Sequence, residues 1–438
     1  MCLNDRKTSE REAVATDNNK AVLHYPGGEF EMDIVKATEG NDGFALGKLL
    51  ATTGLVTFDP GYTATGATES KITFIDGDNG ILRHRGYAIE PLAENASFNE
   101  VNYLLLNGEL PTQAQLDQFE QDLKDVGNAP EDFKKVFETV PVGAHPMGTL
   151  AAAVNLLAAY HGDDLEPEDA DARDRAGKVL MAQLPQLAAY AYRAVQGLDF
   201  VDPKPELTDR ENFLYMMFGK EADPQLVTAL DKLLLVHADH EQNCSTSTVR
   251  MVASSGANIF ASIAGGINAL SGPLHGGANQ AVLEMLEDIQ NNHDGDATEF
   301  MNKVKNKEDG VRLMGFGHRV YKSYDPRAVI GKKTAHEVLE LLGGDNLLDL
   351  AMKLEEIALA DDYFVERKLY PNVDFYTGLI YRAMGFSTDF FTVLFAIGRL
   401  PGWISQFNEQ VSEPSKINRP RQIYTGETDR EFVAIENR

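Results

Sequence analysis

The sequence predicts a mainly α-helical protein with a small β-rich segment on its N-terminal side. Three observations lead there. From residue 97 onward, successive stretches carry apolar residues at three-and-four spacing, the period of a helix with one buried face. Strand-like alternation is nearly absent after residue 90. Between 21 and 87, by contrast, short apolar stretches are cut by turn residues: Pro26-Gly27-Gly28, Pro60-Gly61 and Asp76-Gly77-Asp78-Asn79-Gly80.

Taken in order, residues 1–20 are polar, show no hydrophobic period and read as a disordered tail. Residues 71–75 and 81–83 flank the Asp76–Gly80 turn and read as a short hairpin. Helices are expected over 97–107, 112–126, 149–161, 176–195 and 224–237. Pro111-Thr112 and Asp223-Pro224 make suitable starts, because proline tolerates the first helical turn and threonine or aspartate caps it. Further helices are expected over 255–270, 279–290, 331–342, 346–360, 373–384 and 390–406. Residues 291–297, rich in Asn, Asp and Gly, read as a loop at a domain edge. The charged stretch after Gly426 reads as peripheral. No repeat of fixed period is present.

At 438 residues the chain is long enough for two or three domains. Its hydrophobic fraction of 43% and charged fraction of 24% are those of a folded globular protein rather than a disordered one. No apolar run reaches the ~18–20 residues that span a bilayer, and 1–20 lacks the apolar core of a secretory signal. Cys2 and Cys244 form no disulfide framework and no zinc-type pair. A reducing cytoplasm is therefore the expected compartment. The net charge of −27 argues against nucleic acid and anionic membrane as partners. An anion-binding enzyme of this composition must gather its basic residues locally.

Four histidines stand in unusual contexts. His237 and His240 lie in His-Ala-Asp-His-Glu, where three-residue spacing puts both rings on one helical face. A metal site is one reading, a polar helix end a second, and a histidine turned into an anion pocket a third. His275 follows Pro273 and precedes Gly276-Gly277 and a helix. The unpaired N–H groups of that helix start disfavour a positive charge, so the imidazole is expected to be neutral and a hydrogen-bond donor. Such a donor suits an incipient oxyanion, the alternative being a structural turn histidine. His318 sits between Gly317 and Arg319. With Lys322 and Arg327, Arg319 makes a basic island fitted to carboxylate or phosphate, or else a solvated loop. Asp374, after Tyr370-Pro371-Asn372, reads on position alone as a helix-capping aspartate. Arg399 and Arg419 each read alone as surface salt-bridge residues.

Taken together, five segments resemble the citrate synthase family: 237–250 (HADHEQNCSTSTVR), 271–280 (SGPLHGGANQ), 315–328 (GFGHRVYKSYDPRA), 371–378 (PNVDFYTG) and 419–426 (RPRQIYTG). Their order and spacing match, and the likeness runs from about residue 57 to 426. The stretch 57–87 resembles the bacterial form that carries an extra N-terminal β segment, typically a hexamer of dimers. The resemblance implies a mainly α, two-domain citrate synthase-like fold. Its large domain would span 88–276 and 389–438, its small domain 277–388, with the β-rich segment at 21–87 and a cleft between the domains.

The resemblance also implies an acyltransferase. It would condense acetyl-CoA with oxaloacetate and hydrolyse citryl-CoA to citrate and CoA, the entry step of the tricarboxylic acid cycle. Asp374 would take a proton from the acetyl methyl. His275 would donate to the thioester oxygen, and His318 would polarise the ketone and protonate the alkoxide. His240, rather than His237, would contact oxaloacetate. Arg327 and Arg399 would clamp its carboxylates, Arg419 would reach a carboxylate across a dimer interface, and Lys322 would lie near CoA phosphate. No metal and no cofactor are expected, acetyl-CoA being a substrate. A homodimer assembling to a homohexamer is expected. Val179 and Gln183 stand where family members under NADH control carry a basic pair, so such control is not expected. The nearest rival is a 2-methylcitrate synthase using propionyl-CoA. A non-catalytic helical binding protein is the reading from another class.

Overall fold

The computed structural model describes residues 20–344, 346–412 and 416–438. The expected disordered tail, with Cys2, lies outside them except for Lys20, which opens a strand. Two compact units are present: one of the chain up to Glu69 together with Arg419–Arg438, and one spanning Ser70–Asn418.

In the first unit, β1 (Lys20–Tyr25), β2 (Gly28–Val35) and β3 (Gly43–Phe44) form an antiparallel sheet in that order. A short helix, α1 (Leu49–Thr53), supplies Leu49 to a small core with Phe30 and Met32. Described residues from Arg419 onward are extended apart from one terminal turn.

The second unit opens with the expected hairpin: β4 (Thr73–Asp76) and β5 (Ile81–His84) pair antiparallel, and β6 (Tyr87–Ala88) joins β5. The Asp76 carboxylate accepts from the N–H groups of Asp78 and Asn79, which shapes the turn. No strand follows among the described residues, only an isolated bridge between Phe316 and Pro371.

Helices then follow one another: α2 (Ile89–Asn95), α3 (Phe98–Asn107), α4 (Gln113–Val126), α5 (Asp132–Glu138), α6 (Pro146–Leu157), α7 (Ala170–Val195), α8 (Asp209–Phe218), α9 (Pro224–Val236), α10 (Cys244–Ala253), α11 (Ile259–Leu270), α12 (Ala278–Asn292), α13 (Ala297–Asn306), α14 (Pro326–Leu341), α15 (Asn346–Ala360), α16 (Asp362–Glu366), α17 (Asp374–Ala383) and α18 (Phe391–Ser412). Starts follow local chemistry. Ser97, Thr112 and Thr208 head reciprocal capping boxes with Glu100, Gln115 and Glu211. Asp223 and Asp325 cap helices that begin with proline.

Two expectations need correction. The stretch 255–270 is a helix only from Ile259, because the Asn258 side chain caps there and α10 ends before it. His237 and His240 do not share a helical face. α9 ends at Val236, His237 is its C-cap, and Glu241 at φ 42° turns the chain before Asn243 caps α10.

One continuous core runs through this unit, and α18 is its axis: Phe391 through Phe407 are all buried, Trp403 and Arg399 almost completely. Pro401 lies inside this helix and Pro185 inside α7. A proline there removes one backbone bond, and the packing of these helices outweighs that local cost. No helix of the described residues is long and apolar enough to cross a membrane.

Candidate active site

Two aromatic side chains gather most of the expected site residues. Tyr321 is the first. The His240 and His318 rings lie 5.6 and 5.0 Å from it and 5.2 Å from each other, and the Arg327 guanidinium lies 5.8 Å from its centroid. Phe395, on α18, is the second. The His237 and His275 rings lie 4.6 and 6.3 Å from it, and the Arg399 guanidinium 4.9 Å. Neither aromatic was singled out by sequence reasoning. Tyr321 was visible within the Gly-rich motif, but nothing in the sequence marked Phe395.

The loop bearing His318 is built by pairing with the strand-like approach to α17. Gly317 N–H donates to the Tyr370 carbonyl at 2.8 Å, and Asn372 N–H donates to Gly315 O at 2.9 Å. Gly315 has φ +77°, and a Cβ on it would stand 2.6 Å from Val282 and 2.9 Å from Phe375, so only glycine fits. Asn372 also donates its side-chain amide to Gly317 O and accepts from Asp374 N–H at 3.0 Å. His318 and Asp374 are thus held by one small network.

Both histidines have a fixed tautomer. His318 Nδ1 accepts from the N–H groups of Val320 and Tyr321 at 3.1 and 3.3 Å. His275 Nε2 accepts from Ser245 N–H at 3.2 Å and lies 2.8 Å from the Ser245 hydroxyl. A backbone N–H cannot accept, so each of these nitrogens is unprotonated and the ring proton of the neutral form sits on the other nitrogen. His318 therefore presents Nε2–H, and His275 presents Nδ1–H. Ser245 in turn accepts from Trp403 Nε1 at 3.2 Å. Burial pushes both imidazoles down to about 4, with Arg327 acting on His318 and with Arg399 and Arg319 acting on His275. Neutral donors result, as the sequence predicted for His275, although burial and nearby arginines are the causes rather than the helix start.

The arginines differ sharply. Arg327 makes a two-pronged ion pair with Asp325, Nε to Oδ1 at 3.1 Å and a terminal nitrogen to Oδ2 at 2.8 Å. Burial opposes its charge, but Asp325 outweighs that and raises its pKa. Arg399 is 1% exposed and donates Nε–H to the His237 carbonyl at 2.6 Å. Among the described residues no carboxylate lies within ion-pair distance of it, and one terminal nitrogen is buried without any hydrogen bond. Burial brings it down to about 10. A buried guanidinium with no carboxylate in ion-pair distance is fitted to receive an anion. Sequence position alone made Arg399 a surface residue; the structure places it in the core.

Asp374 is the first residue of α17 and caps nothing: Val373 is the N-cap and makes no side-chain bond. Its pKa is raised to about 6, first by burial, with Asp325 pushing the same way and Arg327 and Arg399 opposing. His240 is buried, has Nε2 3.3 Å from the Tyr321 hydroxyl, and is held well below its usual pKa by burial and then by Arg327.

The other residues singled out in the sequence have these surroundings. His237 donates Nδ1–H to Leu233 O at 2.7 Å and is pushed down to about 3 by burial. Lys322 turns its ammonium to the carbonyls of His318 and Arg319, and its N–H donates to Gly77 O at 2.8 Å. Arg419 is exposed on the extended segment of the other unit. Cys244 is exposed and free. No group of three or more His, Cys, Asp or Glu side chains suited to a metal ion occurs among the described residues. A cavity of about 360 Å³ lined by Asn102, Asn128, Gln186, Lys204 and Arg210, among others, includes none of the site residues.

A model of the citrate synthase C-terminal domain matches residues 61–421. The chain belongs to the citrate synthase family. It is 69% identical over 435 residues to the citrate synthase of Corynebacterium glutamicum, covering 98% of this chain and all of that one. Citrate synthase 1 of Mycobacterium tuberculosis is 58% identical over 432 residues, 97% of this chain and all of the relative. Among solved structures, the citrate synthase of Pyrobaculum aerophilum superposes with a TM-score of 0.79 at 35% identity, covering 95% of this chain and 97% of that one. The enzyme of Thermoplasma acidophilum, solved as a ternary complex with carboxymethyl coenzyme A and oxaloacetate, gives 0.79 at 29% identity, covering 87% and 99%. The fold is that of these citrate synthases, and the chain is an acyl-transferring enzyme. Its reaction is that of the family, citrate formation at the entry to the tricarboxylic acid cycle.

Proposed function

We propose that this chain carries out that reaction, the condensation of acetyl-CoA with oxaloacetate and the hydrolysis of citryl-CoA, through Asp374, His275 and His318. The observation that carries the assignment is the pair of tautomer-locked neutral histidines, each with one N–H left to donate. Asp374, ionised above about 6, removes a proton from the acetyl methyl. His275 Nδ1–H donates to the thioester oxygen as negative charge develops there. The enol carbon attacks the ketone of oxaloacetate, whose oxygen accepts from His318 Nε2–H. The two backbone N–H groups on His318 Nδ1 stabilise electron density in that ring, which makes Nε2–H a better acid toward the new alkoxide. Water then cleaves the citryl thioester.

Oxaloacetate is held by His240, Arg327 and Arg399, the last supplying the unpaired buried charge. Arg419 would complete the clamp from a second copy in a homodimer, with dimers assembling to a homohexamer in the cytoplasm. Lys322 would approach CoA phosphate only by leaving the carbonyls it now caps. The small domain is taken as 277–388, which carries His318, Arg327 and Asp374. The large domain, 88–276 and 389–438, carries His240, His275 and Arg399, and 21–87 is the β-rich segment. Closure of one domain on the other would shield the thioester from solvent water.

The test is thiol release from acetyl-CoA and from propionyl-CoA, with and without oxaloacetate. Oxaloacetate-dependent release favouring acetyl-CoA is expected. No such release would leave a binding protein, and a higher kcat/KM with propionyl-CoA would make the enzyme a 2-methylcitrate synthase.

A further inference from the structure

One buried charge takes no part in the chemistry above. Glu355, on α15, is 3% exposed yet ionised in character. It accepts the Tyr324 hydroxyl at 2.5 Å, the Tyr376 hydroxyl, and the Lys332 ammonium at 2.6 Å. Burial opposes its charge, but these three donors together hold its pKa below the ordinary value. The cost falls on the tyrosines: burial and the carboxylate drive both phenols upward.

A buried ion of this kind adds little stability over an apolar substitute of the same shape. What it does add is placement, and its partners are set close to the reacting groups. Tyr376 lies in the first turn of α17, two residues after Asp374. Tyr324 immediately precedes Asp325, which holds Arg327 by two bonds and accepts Val373 N–H at 3.2 Å at the head of α17. The His318 loop runs into Tyr324 from the other side. Two segments, each bearing site residues, are therefore tied to one carboxylate and through Asp325 to each other.

We infer that Glu355 is a positioning residue for the condensation, setting Asp374 through Tyr376 and setting Arg327 and the His318 loop through Tyr324. The inference rests on the assignment of Asp374 as base and Arg327 as clamp. Reacting atoms displaced by about 1 Å lose on the order of a hundredfold in rate, so a tie of this kind is felt in turnover. The two arms have separable effects. Loosening the Tyr376 arm frees the first turn of α17, so that the Asp374 carboxylate moves toward solvent and sheds part of the burial that raises its pKa, while the charged groups acting on it, Arg327, Asp325 and Arg399, stay in place. Loosening the Tyr324 arm disturbs the carboxylate clamp.

The experiment compares Tyr376→Phe, Tyr324→Phe and Glu355→Gln in the full-length enzyme. It measures kcat, KM for oxaloacetate, the pH dependence of kcat, and Tm. Tyr376→Phe is expected to lower kcat by about tenfold and move its acid limb to lower pH, with KM for oxaloacetate little changed. Tyr324→Phe is expected to raise KM for oxaloacetate several-fold, a rise that Tyr376→Phe does not show. Glu355→Gln, which still accepts one hydroxyl but turns an NH₂ toward another donor, should combine both effects. A fall in Tm with kcat, KM and acid limb unchanged in the tyrosine variants would overturn the inference, as would one identical pattern of loss from both. Asp374→Asn, run in parallel, separates the two levels. Undiminished turnover there refutes the base assignment, and the Glu355 link then stands or falls on the KM of Tyr324→Phe.

Discussion

Asp374→Asn should remove activity and stabilise the fold, and the stabilisation should depend on pH in a defined direction. Burial lifts the Asp374 carboxyl from its ordinary value of 3.8 to about 6. Each pKa unit corresponds to about 1.4 kcal/mol, so the ionised carboxylate costs the folded enzyme at most about 3 kcal/mol. The side chain is partly open to solvent, which reduces this to about 1–2 kcal/mol. Because the folded pKa is raised above the unfolded one, the cost is fully present above pH 6. It fades as pH falls through 6 and is gone below about 4. Asparagine keeps the size without the charge. An unfolding entropy of ~2 cal/mol/K per residue makes 1 kcal/mol worth about 1 °C in a chain this long. The variant should melt about 1–2 °C above the parent at pH 8, and the gap should shrink by pH 5. Thermal melts at both pH values, with thiol release at pH 8, make the check. An equal shift at both pH values, or a lower Tm at pH 8, would refute the account of the raised pKa. Retained turnover would refute the base.

Turnover of the parent enzyme should fall with a single-proton slope below about pH 6, with no further limb until about 4, where His275 and His318 take up protons; a pH–rate profile tests this. Ser245→Ala keeps the backbone donor to His275 Nε2 and loses the hydroxyl. It should lower kcat about tenfold and lower Tm, since Trp403 Nε1 loses its partner. Gly77→Ala would put a Cβ 2.1 Å from the Val320 carbonyl, pushing away the segment whose N–H groups fix His318. Steady-state kinetics should show a lower kcat, recovered by no change in oxaloacetate concentration.

The helical part of the fold was legible because its cause is local. Three-and-four spacing needs only neighbouring residues, and capping signals such as Asp325-Pro326 are written in the chain. Even so, α8 was missed although Thr208 and Glu211 spell a capping box. α10 was missed because polar residues fill its first turn. The site was legible in its residue types but not in its arrangement. His275 was read as neutral from its position at a helix start, and it is neutral because it is buried beside arginines. Asp374 looked like a cap because sequence shows its place on the helix and not the direction of its carboxylate. Arg399 looked like a surface residue because nothing in the local pattern of α18 says that all sides of that helix are covered. Tyr321 was visible only as part of its Gly-rich motif, and Phe395 and Glu355 not at all, since each acts by joining segments far apart in sequence.

Arg399 and Asp374 carry opposite charges, each unsatisfied in the free enzyme, and each lowers the cost of the other. Asp374 would gain most from a cation brought closer, and Arg399 from a carboxylate. On the proposed assignment, their being kept from pairing directly leaves Arg399 available to an anionic substrate and Asp374 available as a base. Arg399→Met tests this. It removes a buried cation with no carboxylate in ion-pair distance among the described residues, but also the charge that most favours ionised Asp239 and the donor to the His237 carbonyl, so the substrate-free enzyme should stay within about 1–3 kcal/mol of the parent. It should also lose the rise in Tm that oxaloacetate gives the parent. Asp374, deprived of one of its two cations, should be still harder to ionise. The stabilisation by Asp374→Asn at pH 8 should therefore be larger in the Arg399→Met background than in the parent, a coupling that a double-mutant cycle on Tm reads directly. Strict additivity would mean that the two groups do not sense each other. An Arg399→Met variant much less stable than the parent, with an intact oxaloacetate response, would mean that the arginine is a structural group and that the oxaloacetate carboxylates are held elsewhere.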